Sequence, residues 1–174
     1  QKYAEVLTQL VHHTWVMPHH SQLRSGANEA PPSIVQALAI ARANSDKRNI
    51  ARALAMLGLF WVDDKNFALA QSTLEESKAF FREVHDEWGY AHAVLCLGFA
   101  AYTQDDQPTS LILNEQALAL FRKIGDRYFM SVCLRYIGDL HMKQDNPTHG
   151  EAALRESLIL VQQLDSKFVI AAGI

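Results

Sequence analysis

An all-α solenoid of antiparallel helix hairpins, about four units long, is the fold class this sequence predicts, and three observations predict it. First, the chain repeats itself at an offset of forty residues. Leu57-Gly58 falls on Leu97-Gly98 and on Ile137-Gly138, Phe81-Arg82 falls on Phe121-Arg122, and Asp46 falls on Asp86 and Asp126. Second, apolar and small residues recur with helical spacing: Ala70, Leu74, Ser77, Phe81 and Val84 trace one face of a 3.6-residue period. Third, helix-capping residues punctuate the pattern at fixed intervals, and no strand-type alternation interrupts it.

The elements follow in chain order. Residues 1–45 are a degenerate unit. Its second helix, PSIVQALAIARANSD, places Ile34, Leu38 and Ala41 on one face. Its first helix falls within residues 2–17, in one of two registers. Either Met17-Pro18 takes the place of the later Leu-Gly pairs, or a shift of about ten puts Ala4, Leu7 and Val11 on one face. In the second case SQLRSGANEAPP becomes an insertion near 18–32, and both registers stay open.

Residues 46–85, 86–125 and 126–165 are three clear units of two helices each. Asn66, Asp106 and Asn146 are N-cap types opening the second helices, and Pro147 stands at a first helical position, where it loses no bond. His85-Asp86 and Gly125-Asp126 mark the turns between units. The second-helix faces of the later units read Ser110, Asn114, Ala117, Phe121, Ile124 and then Gly150, Leu154, Ser157, Val161, Leu164. Small residues at 70, 110 and 150, with glycines at 58, 98 and 138, let paired helices approach closely. A helix-interior glycine costs about 1 kcal/mol against alanine, so three at one register imply a packing reason. Asn114 is the misfit among leucines and is expected at the rim or with a partner. Residues 166–174 read as the start of a further first helix, cut short, so an exposed apolar end and self-association are expected. A chain opening at Gln1 and closing on FVIAAGI is expected to be a fragment of a longer protein.

Composition narrows the function. With 174 residues, 49% of them hydrophobic and 20% charged, the chain is long and apolar enough to bury a core. A net charge of -3 supplies no basic field for nucleic acid. No apolar run approaches a membrane span, and no signal peptide is expected. Cys96 and Cys133 fall in apolar helical stretches, as expected of buried reduced thiols in a cytoplasmic protein.

Three sets of residues carry a family resemblance. They are Leu54, Leu57, Gly58 and Trp61; Val94, Leu97, Gly98 and Ala101; and Leu134, Ile137, Gly138 and His141, joined by Ala70, Leu74 and Ser77 with their counterparts. The pattern resembles the tetratricopeptide repeat (TPR) family. That family's usual unit is 34 residues, and the longer unit here extends its two helices by about 9 Å in total. EESKAFFREVHDEWGYA and NEQALALFRKIGDRYFMS are similar to the forty-residue variety found in MalT-like, LuxR-type and related bacterial STAND regulators. Ala101, His141 and Asn114 depart from the pattern. The resemblance implies a right-handed superhelix with first helices lining a concave face. It also implies a non-enzymatic interaction module, the partner-binding or sensor arm of a larger signalling or transcription regulator.

Carried over by register, the concave face takes Arg52, Leu59 and Asp63, then His92, Leu95, Phe99 and Tyr102, then Arg135, Asp139 and Met142. Leu59, Leu95 and Phe99 suit inter-repeat core equally well. Phe99 and Tyr102 with Arg52 and Arg135 suit a recognition patch, because aromatics and arginine dominate binding hot spots. Trp88, Tyr128 and Phe168 recur at one register, which favours packing between repeats. The expected partner is a protein or peptide, or another domain of the same chain; the alternative is a small ligand on the same face.

The stretch VHHTWVMPHH holds half of the eight histidines. His12 and His13 diverge by about 100° on a helix, and Pro18 ends that helix before His19 and His20. No acidic residue lies between Glu5 and Glu29, so no designed metal site is expected; weak surface binding of metal and packing of Trp15 beneath an irregular end unit are. His92 and His141 stand singly on different first helices, and the pairs Glu75-Glu76 and Asp105-Asp106 suit solvated faces or turns. No phosphate loop, nucleophile elbow or hydrolytic triad is legible, so neither catalysis nor a cofactor is expected.

Overall fold

The structure is a computed structural model that describes residues 29–171, with side chains to residue 164. Among the described residues it is all-helical, with seven helices and no strand. They are α1 (Pro32–Ala43), α2 (Lys47–Asp63), α3 (Phe67–Glu83), α4 (Glu87–Thr103), α5 (Gln107–Ile124), α6 (Arg127–Lys143) and α7 (Pro147–Ala171). None of these helices is long and apolar enough to cross a membrane.

One turn design joins them. A residue in the left-handed region stands at Ser45, Lys65, His85, Asp105, Gly125 and Asp145, once every twenty residues. The amide of the following residue reaches back five positions at each turn, from Asp46 to Ala41 O at 2.9 Å and from Asn146 to His141 O at 2.9 Å. These bonds satisfy carbonyls that a helix end would otherwise orphan. The same following residue then caps the next helix: the side chains of Asp46, Asn66, Asp86, Asp106 and Asp126 accept from the amides of Asn49, Leu69, Gly89, Thr109 and Phe129. Asn146, expected in the same role, pairs its side-chain oxygen with His149 Nδ1 at 2.9 Å.

The chain divides into two compact units, residues 1–96 and 97–174, with the division inside α4. In a repeat array each element contacts only its neighbours, so such a division is expected somewhere along it. Within the first unit, α1 packs on α2 and α2 on α3. Leu38, Ala41, Ile50, Ala53 and Leu54 form one core cluster, with Leu57 and Phe80 against it. Phe81 joins Ala51 and Ala93 in a second. Ser77 Oγ donates to Ala51 O at 2.8 Å, while Gly58 lies against Leu74 and Ala70. These pairings run in opposite senses along the two helices, so α2 and α3 are antiparallel.

Within the second unit, α5 packs on α6 and α6 on α7. Ser157 Oγ donates to Ser131 O at 2.8 Å, eighty residues on from the Ser77 bond. Ser110 Oγ donates to Gly98 O at 3.0 Å, at the register of Ala70 and Gly150. Gly138 and Gly150 mark a close approach of α6 and α7. A Cβ on Gly138 would stand 3.1 Å from Gly150 O and 2.6 Å from Leu154 Cγ. The register glycines therefore have the packing reason their helix cost implied.

Two expectations are corrected. The turn expected at 165–166 is absent, and α7 continues unbroken to Ala171. No described element packs back on α7 there to hold a turn, and continuing the helix adds one backbone bond per residue. Leu154 and Val161, expected on a buried face, are 37% and 39% exposed for the same reason. Asn114 takes the second of its two expected fates, a partner within the core: it is fully buried, its Nδ2 donates to Ser110 O at 2.8 Å, and its Oδ1 has no partner. The VHHTWVMPHH stretch, the first helix of the degenerate unit and the Phe168 side chain lie outside the described residues.

Candidate functional site

The expected first-helix residues fall into two sets, one in each unit. In the unit of residues 1–96, Arg52 and Leu59 are half-buried on α2, and Asp63 is exposed at its end. His92 and Leu95, expected to line an open surface, are instead buried on α4, at 2% and 0% exposure. The run from Ala91 to Gly98 is buried without a break, so this part of α4 has no solvated face. Leu95 thereby takes the core role that its sequence also suited.

His92 illustrates what that burial does. Its ring stacks on Trp88 with centroids 5.3 Å apart and an interplanar angle of 7°. Its Nδ1 lies 3.7 Å from Cys96 Sγ. Burial holds its pKa down at about 4, because the imidazolium would lose its water. Burial also pushes the Cys96 thiol far up and the Cys133 thiol to about 12. Neither cysteine is a nucleophile in this state.

In the unit of residues 97–174 the first helices α4 and α6 build a compact cluster. Helical spacing puts Arg135, Asp139 and Lys143 on one stripe of α6, four residues apart. The Tyr102 hydroxyl, from α4, donates to Asp139 Oδ2 in a short hydrogen bond. Lys143 Nζ donates to the Tyr102 hydroxyl at 3.1 Å, lies 3.2 Å from Asp139 Oδ2, and sits 4.2 Å from the centre of the Tyr102 ring. The Tyr102 hydrogen bond, then Lys143, hold the Asp139 carboxyl below its usual range. The Tyr102 bond likewise raises Lys143.

Beneath this charged layer lie three rings. Tyr136 is nearly buried and meets Tyr102 edge-on at 5.1 Å and Phe99 at 5.9 Å. The Arg135 guanidinium covers the other side of the cluster, 4.2 Å from the Tyr136 ring centre, and its side chain stays exposed. Met142 is 43% exposed on the same helix. The structure thus brings together Phe99, Tyr102, Arg135 and Asp139 and adds two residues missed in the sequence. Lys143 was findable, as the residue four after Asp139 with opposite charge. Tyr136 was not, because its place beside Ile137 in the apolar register gives no sign of its ring contacts.

Other polar groups offer less. His141 and His149 face each other with ring centroids 5.5 Å apart, and His141 Nδ1 is buried without a partner. Two imidazoles fall short of a four-ligand zinc site, and among the described residues no group of three or more His, Cys, Asp or Glu converges. An open hollow of about 420 Å³ lies at the start of α7, lined by Pro147, Thr148, Glu151, Ala152 and Arg155.

No known protein family matches this chain, and no curated protein matches it either. Among solved structures it is similar to the crystal structure of BtubC (BKLC) from P. vanneervenii, with a TM-score of 0.67 and 18% identity. The match covers 76% of this chain, which spans 56% of the length of that one. At this identity the likeness concerns the fold, and it fits a helical solenoid.

Proposed function

We propose that this chain is a non-enzymatic helical-repeat module of the tetratricopeptide type that binds a protein or peptide partner through the first-helix cluster of α4 and α6. The observation that carries this is the cluster itself. Three rings from two first helices are fixed by packing, with Arg135 and Lys143 held on their faces and the Asp139 charge already satisfied by Tyr102. Aromatic side chains locked in place lose little entropy on binding, and arginine on an aromatic platform suits a hot spot. The wider role is the partner-binding or sensor arm of a bacterial signalling or transcription regulator in the cytoplasm, the context of the repeats that this sequence resembles.

A photo-crosslinking side chain at Met142, compared with one at exposed Glu115 on α5, tests the surface. The expected result is a discrete crosslinked partner from position 142 that disappears with Arg135→Glu. Equal products from both positions, or indifference to Arg135→Glu, would remove the cluster from the interface. A second reading, a small ligand on the same rings, is favoured by the polar Tyr102–Asp139–Lys143 network over them. Calorimetric heat from a small molecule without any protein partner, lost in Tyr102→Ala, would select it.

A further inference from the structure

We propose that His141 and His149, with Asn146 holding the second ring in place, bind one divalent transition-metal ion of the copper, nickel and zinc class across the turn between α6 and α7. The site lies apart from the first-helix cluster and does not rest on its proposed role. The sequence leaves His141 alone on its first helix, and the turn brings His149 to it. His141 stands in the last turn of α6 and His149 in the first turn of α7, with ring centres 5.5 Å apart and planes at 40°. Two imidazoles that share one ion at about 2.0–2.1 Å per bond have ring centres about 5–6 Å apart, for ligand angles from tetrahedral to somewhat wider. The observed spacing falls in that range, so neither helix has to move for an ion to seat. The same positions in the two earlier hairpins hold Trp61 with Leu69 and Ala101 with Thr109. The fold therefore does not require imidazole at either position.

Each ring has one nitrogen to give. His149 Nδ1 lies 2.9 Å from Asn146 Oδ1, and an amide oxygen only accepts, so Nδ1 carries the proton and Nε2 keeps its lone pair. This is the outer contact that fixes the tautomer of a metal-bound histidine. Asn146 departs from its repeat to make it. The other five residues at this turn position accept from the backbone amide three residues on, whereas Asn146 pairs with the side chain of that same residue. The Asn146 amide donates to His141 O at 2.9 Å, so one residue ties both histidines to the turn. Across from it, His141 Nδ1 is buried without a partner, and an ion that takes its lone pair satisfies it. His149 is exposed, which gives the ion a way in from solvent. Two neutral nitrogen donors select this class of ion over magnesium and calcium, which take oxygen ligands. Water completes the coordination, so the ion is exchangeable, and copper binds more tightly than nickel or zinc.

The test is zinc chloride titrated into the isotope-labelled 174-residue chain near neutral pH, followed by nuclear magnetic resonance of the imidazole nitrogens. Zinc is the probe because it is diamagnetic and leaves those signals visible. The His141 and His149 signals are expected to shift together and to reach a plateau at one equivalent. Asn146→Ala should weaken the site about ten- to a hundredfold, the usual effect of losing an outer partner, and His149→Gln should abolish the His141 shift. Unchanged helicity by circular dichroism in both variants separates loss of binding from loss of fold, and the wild-type titration needs neither variant. Shifts confined to His12, His13, His19 and His20 would mean an adventitious ion only, taken by the amino-terminal stretch, and would overturn the proposal. So would a His149 shift without His141, a His141 shift that survives His149→Gln, or an affinity that Asn146→Ala leaves unchanged.

Discussion

His92 is the residue whose chemistry the fold changes most usefully for measurement. It lies at 2% exposure between Trp88 and Cys96, with its pKa lowered from 6.5 to about 4 by desolvation. Between those two values the unfolded chain takes up a proton at this position and the native chain does not. Stability contributed here is therefore complete above pH 6.5 and is lost as pH falls toward 4, by about 3 kcal/mol across the window. Urea unfolding from pH 7 to pH 4.5 should show that slope, and His92→Leu should be shallower than the wild type. Parallel slopes for the two proteins would mean that His92 is not held neutral. Nothing in the letters foretold this, because a lone histidine at a first-helix register reads the same whether it lines a surface or lies under one. The same ambiguity covered Leu95. Phe99, Tyr102, Arg135 and Asp139 were legible as residues of one first-helix face because helical register agreed on them. Tyr136, which meets both Phe99 and Tyr102, required the three-dimensional packing.

Among the elements, the turns are the most regular feature and the one least visible in the letters. The sequence repeats every forty residues, yet the left-handed residue recurs every twenty, at positions 45, 65, 85, 105, 125 and 145. Only Gly125 advertises it; serine, lysine, histidine and aspartate occupy the other five. Those five accept a left-handed backbone that costs about 1–2 kcal/mol. The back-bond over five residues and the capping carboxylate or amide that follows offset it. The cap residues were readable because aspartate and asparagine announce a helix start, whereas the residue before them follows no type rule. Gly125 provides a clean measurement, since a Cβ there would meet nothing within 4 Å and the effect of Gly125→Ala is purely backbone. That variant should lose about 1–2 kcal/mol, and Lys65→Gly should gain up to about 1 kcal/mol. The gain is the smaller because glycine is also freer in the unfolded chain. Chemical denaturation of both reads the result. A Lys65→Gly variant weaker than wild type would show that the lysine side chain, rather than the turn, sets the energy at that position.

At the scale of the whole molecule, stability in a repeat array is a sum over elements and their neighbouring interfaces, so it need not be uniform along the chain. The helix starts that follow Asp46, Asp86 and Asp126 were legible because each carries its own cap, which acts locally. The boundary expected at 165 was not realised, because a turn there depends on a following helix packing back, and periodicity within one segment does not report that. The consequence is a gradient that hydrogen exchange can read. Residues 91–98 of α4 are buried without interruption, so their backbone bonds are shielded from solvent. Residues 154–161 of α7 include four exposed large apolar side chains, Leu154, Leu158, Ile159 and Val161, and so have less packing to lose on opening than residues 91–98. Amides of residues 91–98 should therefore exchange more slowly than those of residues 154–161, with each tenfold in rate corresponding to about 1.4 kcal/mol of opening free energy. Equal protection of the two segments would mean that the array opens as one cooperative unit, and the exposed apolar side chains of α7 would then cost it nothing.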